Sequence, residues 1–449
     1  MPTSCIIGAG LSGLSFAWKS HAHGASYRIL ESSSRIGGNL QSQRSGSYLY
    51  EEGPQSLLVN SQAQAHFLSS IPGLQERTVY ANKAAKKRFL RKHGQLHTVP
   101  MNPLAALASP LLSTPGKIRL ISEAWVPAKL SALDESIAAF ARRRLGNEVY
   151  ESCINPMVSG IYAGDPENLS IRHALPRLAA MEGNYGSLTA GIFHKILASV
   201  KAKGSGFKPQ VISFVDGLHE LPKTIAAALR PDALQTGVSL QKITPIKGRW
   251  RVQWVQHSGA VHCEEFDKLI ITIPAHCIAQ LPFPPAIQAA TGCFASIPHP
   301  SVTVSSFSFN RSSIEHPLDG FGLLQPQKER KKVLGVLFPS SLFKHRASDD
   351  AHLISVFSNQ AAPPEKLLDE IKPLIGIRGP YTSHHIKTWT RAIPQYVVGY
   401  RSILESIHAL EHRYHGLHFM GNYRHGVALG NCMDANLAPP QFSEHQPVI

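Results

Sequence analysis

The chain has 449 residues, 43% hydrophobic and 17% charged, an ordinary globular composition with length for two or three domains. Its 45 basic and 30 acidic residues leave a net charge of +15, a field that favours anionic partners and counts against a cationic substrate. No apolar run reaches the roughly 18 residues of a spanning helix, and the first apolar run already belongs to a glycine motif, so neither a membrane span nor a secretory leader is expected.

The first predicted element is a buried parallel strand, TSCIIG (3–8). Gly8 turns the chain sharply, Gly10 lets backbone N–H groups approach a pyrophosphate, and Gly13 lets the next helix sit close to the strand. The helix N-terminus then presents its positive dipole end to the phosphate. Leu11, Leu14 and Trp18 recur at helical spacing and are predicted to face the sheet. The helix should end near His23-Gly24, and YRILE (27–31) is the second strand. Glu31 follows Gly13 by 18 residues, where an acid takes ribose hydroxyls. The glycines alone do not separate NAD from FAD. The next stretch, Glu31, Arg35, Gly37 and Gly38, has the form E-x-x-x-R-x-G-G and resembles the second signature of amine-oxidase-type flavoenzymes. In EEGPQS (51–56), Gly53-Pro54 resembles that family's loop under the flavin ring, so FAD is the expected cofactor.

Beyond residue 75 come a basic cluster, KAAKKRFLRK (83–92), and a hairpin turning at His93-Gly94. Residues 101–204 read as helical, including a proline-broken apolar stretch at 101–116. A nucleotide-domain pattern returns at 211–273, with a strand, a glycine turn and a helix, then GVSLQKITPI, RWRVQWV and DKLIITIP as strands. SVTVSSFSF, VLGVLF and HLISVF in 300–360 read as a second sheet, open on one face to a substrate. LHFMGNYRHGVALGNCMDA (417–435) reads as strand, glycine-rich loop and helix, with Gly426 to Leu429 bringing helix N–H groups near the electron-rich end of a flavin. The six cysteines form no C-x-x-C pair and the 23 histidines no metal-ligand spacing, so a reducing compartment and no metal are expected. The basic charge lacks a helix-turn-helix or basic–aromatic signature, so nucleic acid is not expected as a partner.

Three blocks, MVSGIYAGDPENLSIRHALPRL (157–178), RAIPQYVVGY (391–400) and GNYRHGVALGN (421–431), resemble segments of the oxygen-dependent, FAD-containing protoporphyrinogen IX oxidase family. The resemblance runs from Cys5 to about Ala435. It implies an α/β (α+β overall) architecture: a discontinuous Rossmann-like FAD domain (1–75, 205–280 and 385–449), a mixed-sheet substrate domain (76–100 and 281–384) and a helical membrane-associating domain (101–204). The implied reaction aromatises a porphyrinogen. Hydride passes to flavin N5 and dioxygen reoxidises the flavin, giving hydrogen peroxide; no general base is assigned.

Carried over by motif, the FAD contacts are Gly8, Ala9, Gly10, Leu11, Ser12, Gly13, Glu31, Ser32, Arg35, Gly37, Gly38, Asn39, Gly53, Pro54, Gln55 and Ser56. Ile243 falls on the adenine-side backbone contact, Trp389 on a flavin-side position, and Gly426, Val427, Ala428 and Leu429 on the last flavin loop. Arg88 aligns with a cation for a substrate propionate, Gly160 with close approach of the macrocycle, and Leu323 and Phe343 with apolar walls. Asn39 and Gln55-Ser56 depart from the family pattern. The sister oxidation of coproporphyrinogen III stays open, as do another amine-oxidase-type activity (an amine oxidase or carotenoid desaturase) and a non-catalytic flavoprotein. The resemblance and the basic charge imply a cytoplasmic protein held on one membrane face, with residues 83–130 as the contact surface; a homodimer stays open.

Overall fold

A computed structural model describes residues 3–82, 86–100, 103–129, 133–201, 207–360 and 362–435. The N-terminal run forms β1 (Thr3–Ile7), followed by α1 (Leu11–Ala22) and β2 (Ser26–Leu30). β1 is apolar without alternation because both of its faces are covered. It lies in the middle of a five-stranded parallel sheet ordered Leu234–Gln235, β2, β1, Lys268–Ile271, Leu417–Phe419. The register puts Ile6 beside Ile29 on one side and Ile270 on the other. The nucleotide-type sheet is therefore assembled from chain segments far apart in sequence.

A second, seven-stranded sheet runs Ser383–Trp389, Val302–Asn310, Ala351–Ser358, Val333–Leu337, Gly322–Leu324, Phe89–Lys92, Gln95–Thr98. Alternation along Val302–Asn310 explains its two faces. Phe307 and Phe309 pack with Leu367 and Ile371 of the covering helix Pro364–Ile375. Ser306 and Ser308 point the other way, and Ser308 meets the Tyr50 hydroxyl at 3.2 Å. The expected hairpin turns at His93 and Gly94, whose φ values of 52° and 76° suit a two-residue loop with both residues left-handed.

Two strand pairings cross the expected boundaries. Thr78–Tyr80 pairs with Gln210–Phe214, so the chain just past residue 75 joins a strand from the 205–280 segment in a separate three-stranded sheet. Ser383–Trp389 is one unbroken edge strand of the second sheet, so the division at 384/385 cuts through it.

The 101–204 region is helical where described. Part of its expected apolar surface is instead core: Leu111 is 1% exposed and Leu112 is 7% exposed. Exposed apolar side chains include Ile118, Ile121 and Trp125 on one segment, and Ile192, Phe193, Ile196 and Leu197 on helix Leu188–Lys201. Glu123 locks the two together. Its carboxylate accepts the Leu188 and Thr189 amides, each at 2.9 Å, and pairs with the buried Arg144. Residues 83–85, 101, 102 and 130, part of the expected contact surface, lie outside the described residues. Among the described residues no helix is long and apolar enough to cross a membrane.

Candidate dinucleotide and substrate site

The groove begins where β1 ends. The Gly8 amide donates to the Leu30 carbonyl at 2.8 Å, and Gly8 has φ +107°, a turn that favours glycine. A Cβ on Gly13 would collide with the Gly8 carbonyl oxygen and lie 2.7 Å from Thr272 Oγ1. Glycine there is what lets α1 approach the strand. Gly10 caps α1 without a side-chain bond, so first-turn N–H groups of this 12-residue helix are left for an anion. A Cβ on Gly10 would meet nothing within 4 Å, so the backbone there borders open space.

The expected acid is held at the same point. Glu31 Oε2 accepts the Ala9 amide at 2.7 Å, and Oε1 accepts the Ser33 amide at 2.8 Å. The Gly37 amide donates to the Ala9 carbonyl at 2.8 Å, bringing the paired glycines against the first glycine loop. Ser32, Arg35 and Gly38 are exposed at this edge, and Leu11 and Ser12 are buried behind it. Ile243, expected on the adenine side, lies within the strand Val238–Ile246. That residue is fully buried and its amide donates to the Pro282 carbonyl. At the other end of the same strand, the Val238 amide donates to the Glu31 carbonyl at 3.0 Å, so Val238 borders the acid.

The Gly53 loop meets Trp389. Trp389 Nε1 donates to the Glu52 carbonyl at 2.6 Å, and a Cβ on Gly53 would collide with the Asn39 carbonyl oxygen. Pro54 and Ser56 are half-buried, while buried Gln55 donates to the Glu51 carbonyl and accepts from Ser355 of the second sheet. The last loop contains Gly426 at φ +113°, half-buried Val427 and exposed Ala428. Its helix, Leu429–Asp434, has only six residues, so the expected dipole reduces to a single turn of N–H groups. It packs on α1, with Ser12 bonded to Cys432.

The substrate-side residues separate. A Cβ on Gly160 would lie 2.5 Å from Leu324 Cδ2. Leu324 is thus the strand residue facing Gly160, whereas Leu323, 1% exposed, points into the cluster under the covering helix. Phe343 is 3% exposed and lies under the Arg346 guanidinium, 5.3 Å from its ring centroid, so it is a core residue. Exposed Arg88 sits 5.0 Å over Phe321. The sequence reading missed the apolar group Ala163, Val302, Leu334, Phe357, Ala392 and Ile393, which continues the face from Leu324 toward Trp389. Their signal was the period of two in the strands, but its phase is set only by pairing.

The profile of the family described as flavin containing amine oxidoreductase matches residues 11–434. Protoporphyrinogen oxidase 1, chloroplastic, of Arabidopsis thaliana is 30% identical, with 96% of this chain and 86% of that protein covered. Coproporphyrinogen III oxidase of Bacillus subtilis is 24% identical over 96% of both chains. A solved structure from Exiguobacterium sp. 255-15, whose name also refers to protoporphyrinogen oxidase, superposes with TM-score 0.78 at 22% identity over 96% of both chains.

Proposed function

Because the chain belongs to the flavin containing amine oxidoreductases, we propose that it oxidises protoporphyrinogen IX to protoporphyrin IX in heme biosynthesis. It is a flavin-containing oxidoreductase and its cofactor is FAD. The groove fits that cofactor: Gly10 borders open space, the first-turn amides of α1 are uncapped, and Glu31 is fixed beside both. The observation that carries the substrate reading is the run of apolar residues from Leu324, beside Gly160, through Ala163 and Leu334 toward Trp389. The IYAGDP and IPQY blocks lie on that face, and relatives bearing the name are nearly co-extensive with the chain.

FAD, when bound, supplies the two-electron acceptor at N5 for successive oxidations and passes the electrons to dioxygen as hydrogen peroxide. Glu31 would hold the ribose, and the backbone at Gly8–Gly13 and Gly37–Gly38 would hold the pyrophosphate. Asn39, Gly53 and Trp389, which brace one another, and the loop Val427 to Leu429 would hold the flavin ring. The apolar face orients the macrocycle and excludes water from the reacting carbon. Arg88 meets a propionate at the rim.

The test is porphyrin fluorescence over time, with FAD-loaded protein in air and protoporphyrinogen IX or coproporphyrinogen III as substrate. Faster formation of protoporphyrin is expected. Preference for the second substrate would transfer the chain to the sister reaction, and turnover of neither would remove the reading. Arg88→Ala is expected to raise the Michaelis constant about tenfold with turnover preserved. An unchanged constant would remove Arg88 from the site.

The same reading includes attachment to the cytoplasmic face of a membrane through Ile118, Ile121, Trp125 and the Ile192–Leu197 stripe. Flotation with anionic liposomes at low salt should carry the wild type upward. Trp125→Glu with Phe193→Glu should leave it at the bottom with melting unchanged, since both side chains are already exposed.

A further inference from the structure

Outside the dinucleotide groove, the described residues line an open pocket of about 770 Å³, a size typical of small-molecule sites. Its walls include Ala163, His299, Arg330, Asn359 and Gln395. Ala163 also packs in the apolar face with Val302 and Leu334, and Val302 pairs with Trp389. Through Ala163 the cavity borders the face on which the macrocycle would lie.

Arg330 gives the cavity its character. Its Nη1 is buried and has no hydrogen-bond partner. The carboxylates that bear on it are engaged elsewhere. Glu370 accepts the amides of Lys331 and Lys332, each at 2.8 Å, and of Val333 at 3.2 Å. Asp165 accepts the Glu167 amide at 3.0 Å, and the Glu167 carboxylate is held by Arg142. Arg330 Nη1 therefore bonds neither of these carboxylates. His299, whose Nδ1 lies 2.8 Å from the Ile297 carbonyl, is kept neutral by burial and adds no competing charge. A half-buried guanidinium without an anion is costly, and its planar fork matches a carboxylate.

We propose that this cavity receives a carboxylate-bearing arm of the substrate, with Arg330 as its anion partner and the Asn359 amide beside it. The assignment rests on the porphyrinogen reading, deepens it, and gives the substrate an anchor distinct from Arg88.

The experiment titrates FAD-loaded wild type, R330Q and R330K with protoporphyrin IX and with its dimethyl ester, read by fluorescence, and runs the oxidation assay in parallel. R330Q is expected to weaken binding of the free acid about ten- to a hundredfold and leave the ester unchanged. R330K should recover part of the loss. In turnover, R330Q should raise the Michaelis constant with kcat within about twofold. Equal losses for acid and ester, or no loss for either, would overturn the proposal. Wild type that oxidises no porphyrinogen removes the functional reading instead, while the acid-against-ester comparison still decides Arg330 in either direction.

Discussion

Gly13→Ala is expected to yield a protein purified without flavin and destabilised by about 3 kcal/mol even as apoprotein. The new methyl group would press on the Gly8 carbonyl oxygen and stand 2.7 Å from Thr272 Oγ1, which itself bonds the Ile7 and Gly8 carbonyls at 2.9 and 3.0 Å. None of these is the flexible end of a long side chain. Relief requires α1 to lift from β1, which opens contacts around Leu14 and Ala17, both fully buried. Gly10→Ala makes the opposite case. Its Cβ meets no protein atom within 4 Å and its φ of −73° suits any residue, so the apoprotein should melt like wild type. It should still fail to bind FAD, because the methyl fills the space the pyrophosphate needs. Flavin absorbance of the purified proteins and thermal unfolding of the apoproteins separate the two effects. Gly13→Ala with full flavin and wild-type melting would show that the helix approach does not set the site.

The glycine positions were legible in the sequence because their requirements are local. A turn at positive φ and a close helix approach depend on residues within one βαβ unit. The long strands were legible for a related reason: they are apolar throughout or alternate cleanly. What failed was phase and reach. Leu323 and Leu324 are both leucines on one strand, and only pairing with Val336 and Gly335 tells which faces Gly160. Ile243 and Val238 share one strand, and only tertiary packing tells that the Val238 end meets the Glu31 carbonyl. Phe343 looked like a pocket wall because an aromatic residue in an apolar stretch carries no mark of its partner. That partner, Arg346, is bound to a carboxylate 295 residues away in sequence.

That distant pair yields the other large expected effect. Glu51 and Arg346 are 2% and 1% exposed, and Arg346 Nη2 lies 3.5 Å from Glu51 Oε1. Glu51 also accepts the Ser42 hydroxyl at 2.5 Å and the Leu218 amide at 2.9 Å. Burial outweighs these partners and pushes its carboxyl up to about 7. An unfolded glutamate ionises near ~4.3. Between those values the native state binds more protons than the unfolded one, so stability falls as pH rises through the window and levels off above it. Arg346→Met removes the cation and drives the carboxyl higher still. At pH 8 Glu51 would be a buried, unpaired charge or would take up a proton at a cost, and the loss should reach about 3–5 kcal/mol. At pH 6 the carboxyl is neutral, and only the Arg346 bonds to Ser213 Oγ and the Phe214 carbonyl are lost, so the penalty should be clearly smaller. Glu51→Gln should show the reverse pattern in pH: a buried unpaired guanidinium costs the same at both values, and the fall in stability from pH 5 to 8 flattens. Because Glu51 leads directly into the Glu52–Gly53 loop held by Trp389, both variants should also release FAD more readily than wild type. Denaturant unfolding of the FAD-loaded proteins at pH 6 and pH 8 provides the check. Equal destabilisation of Arg346→Met at the two values would mean that the pair contributes only through packing against Phe343, and the charge argument would fall.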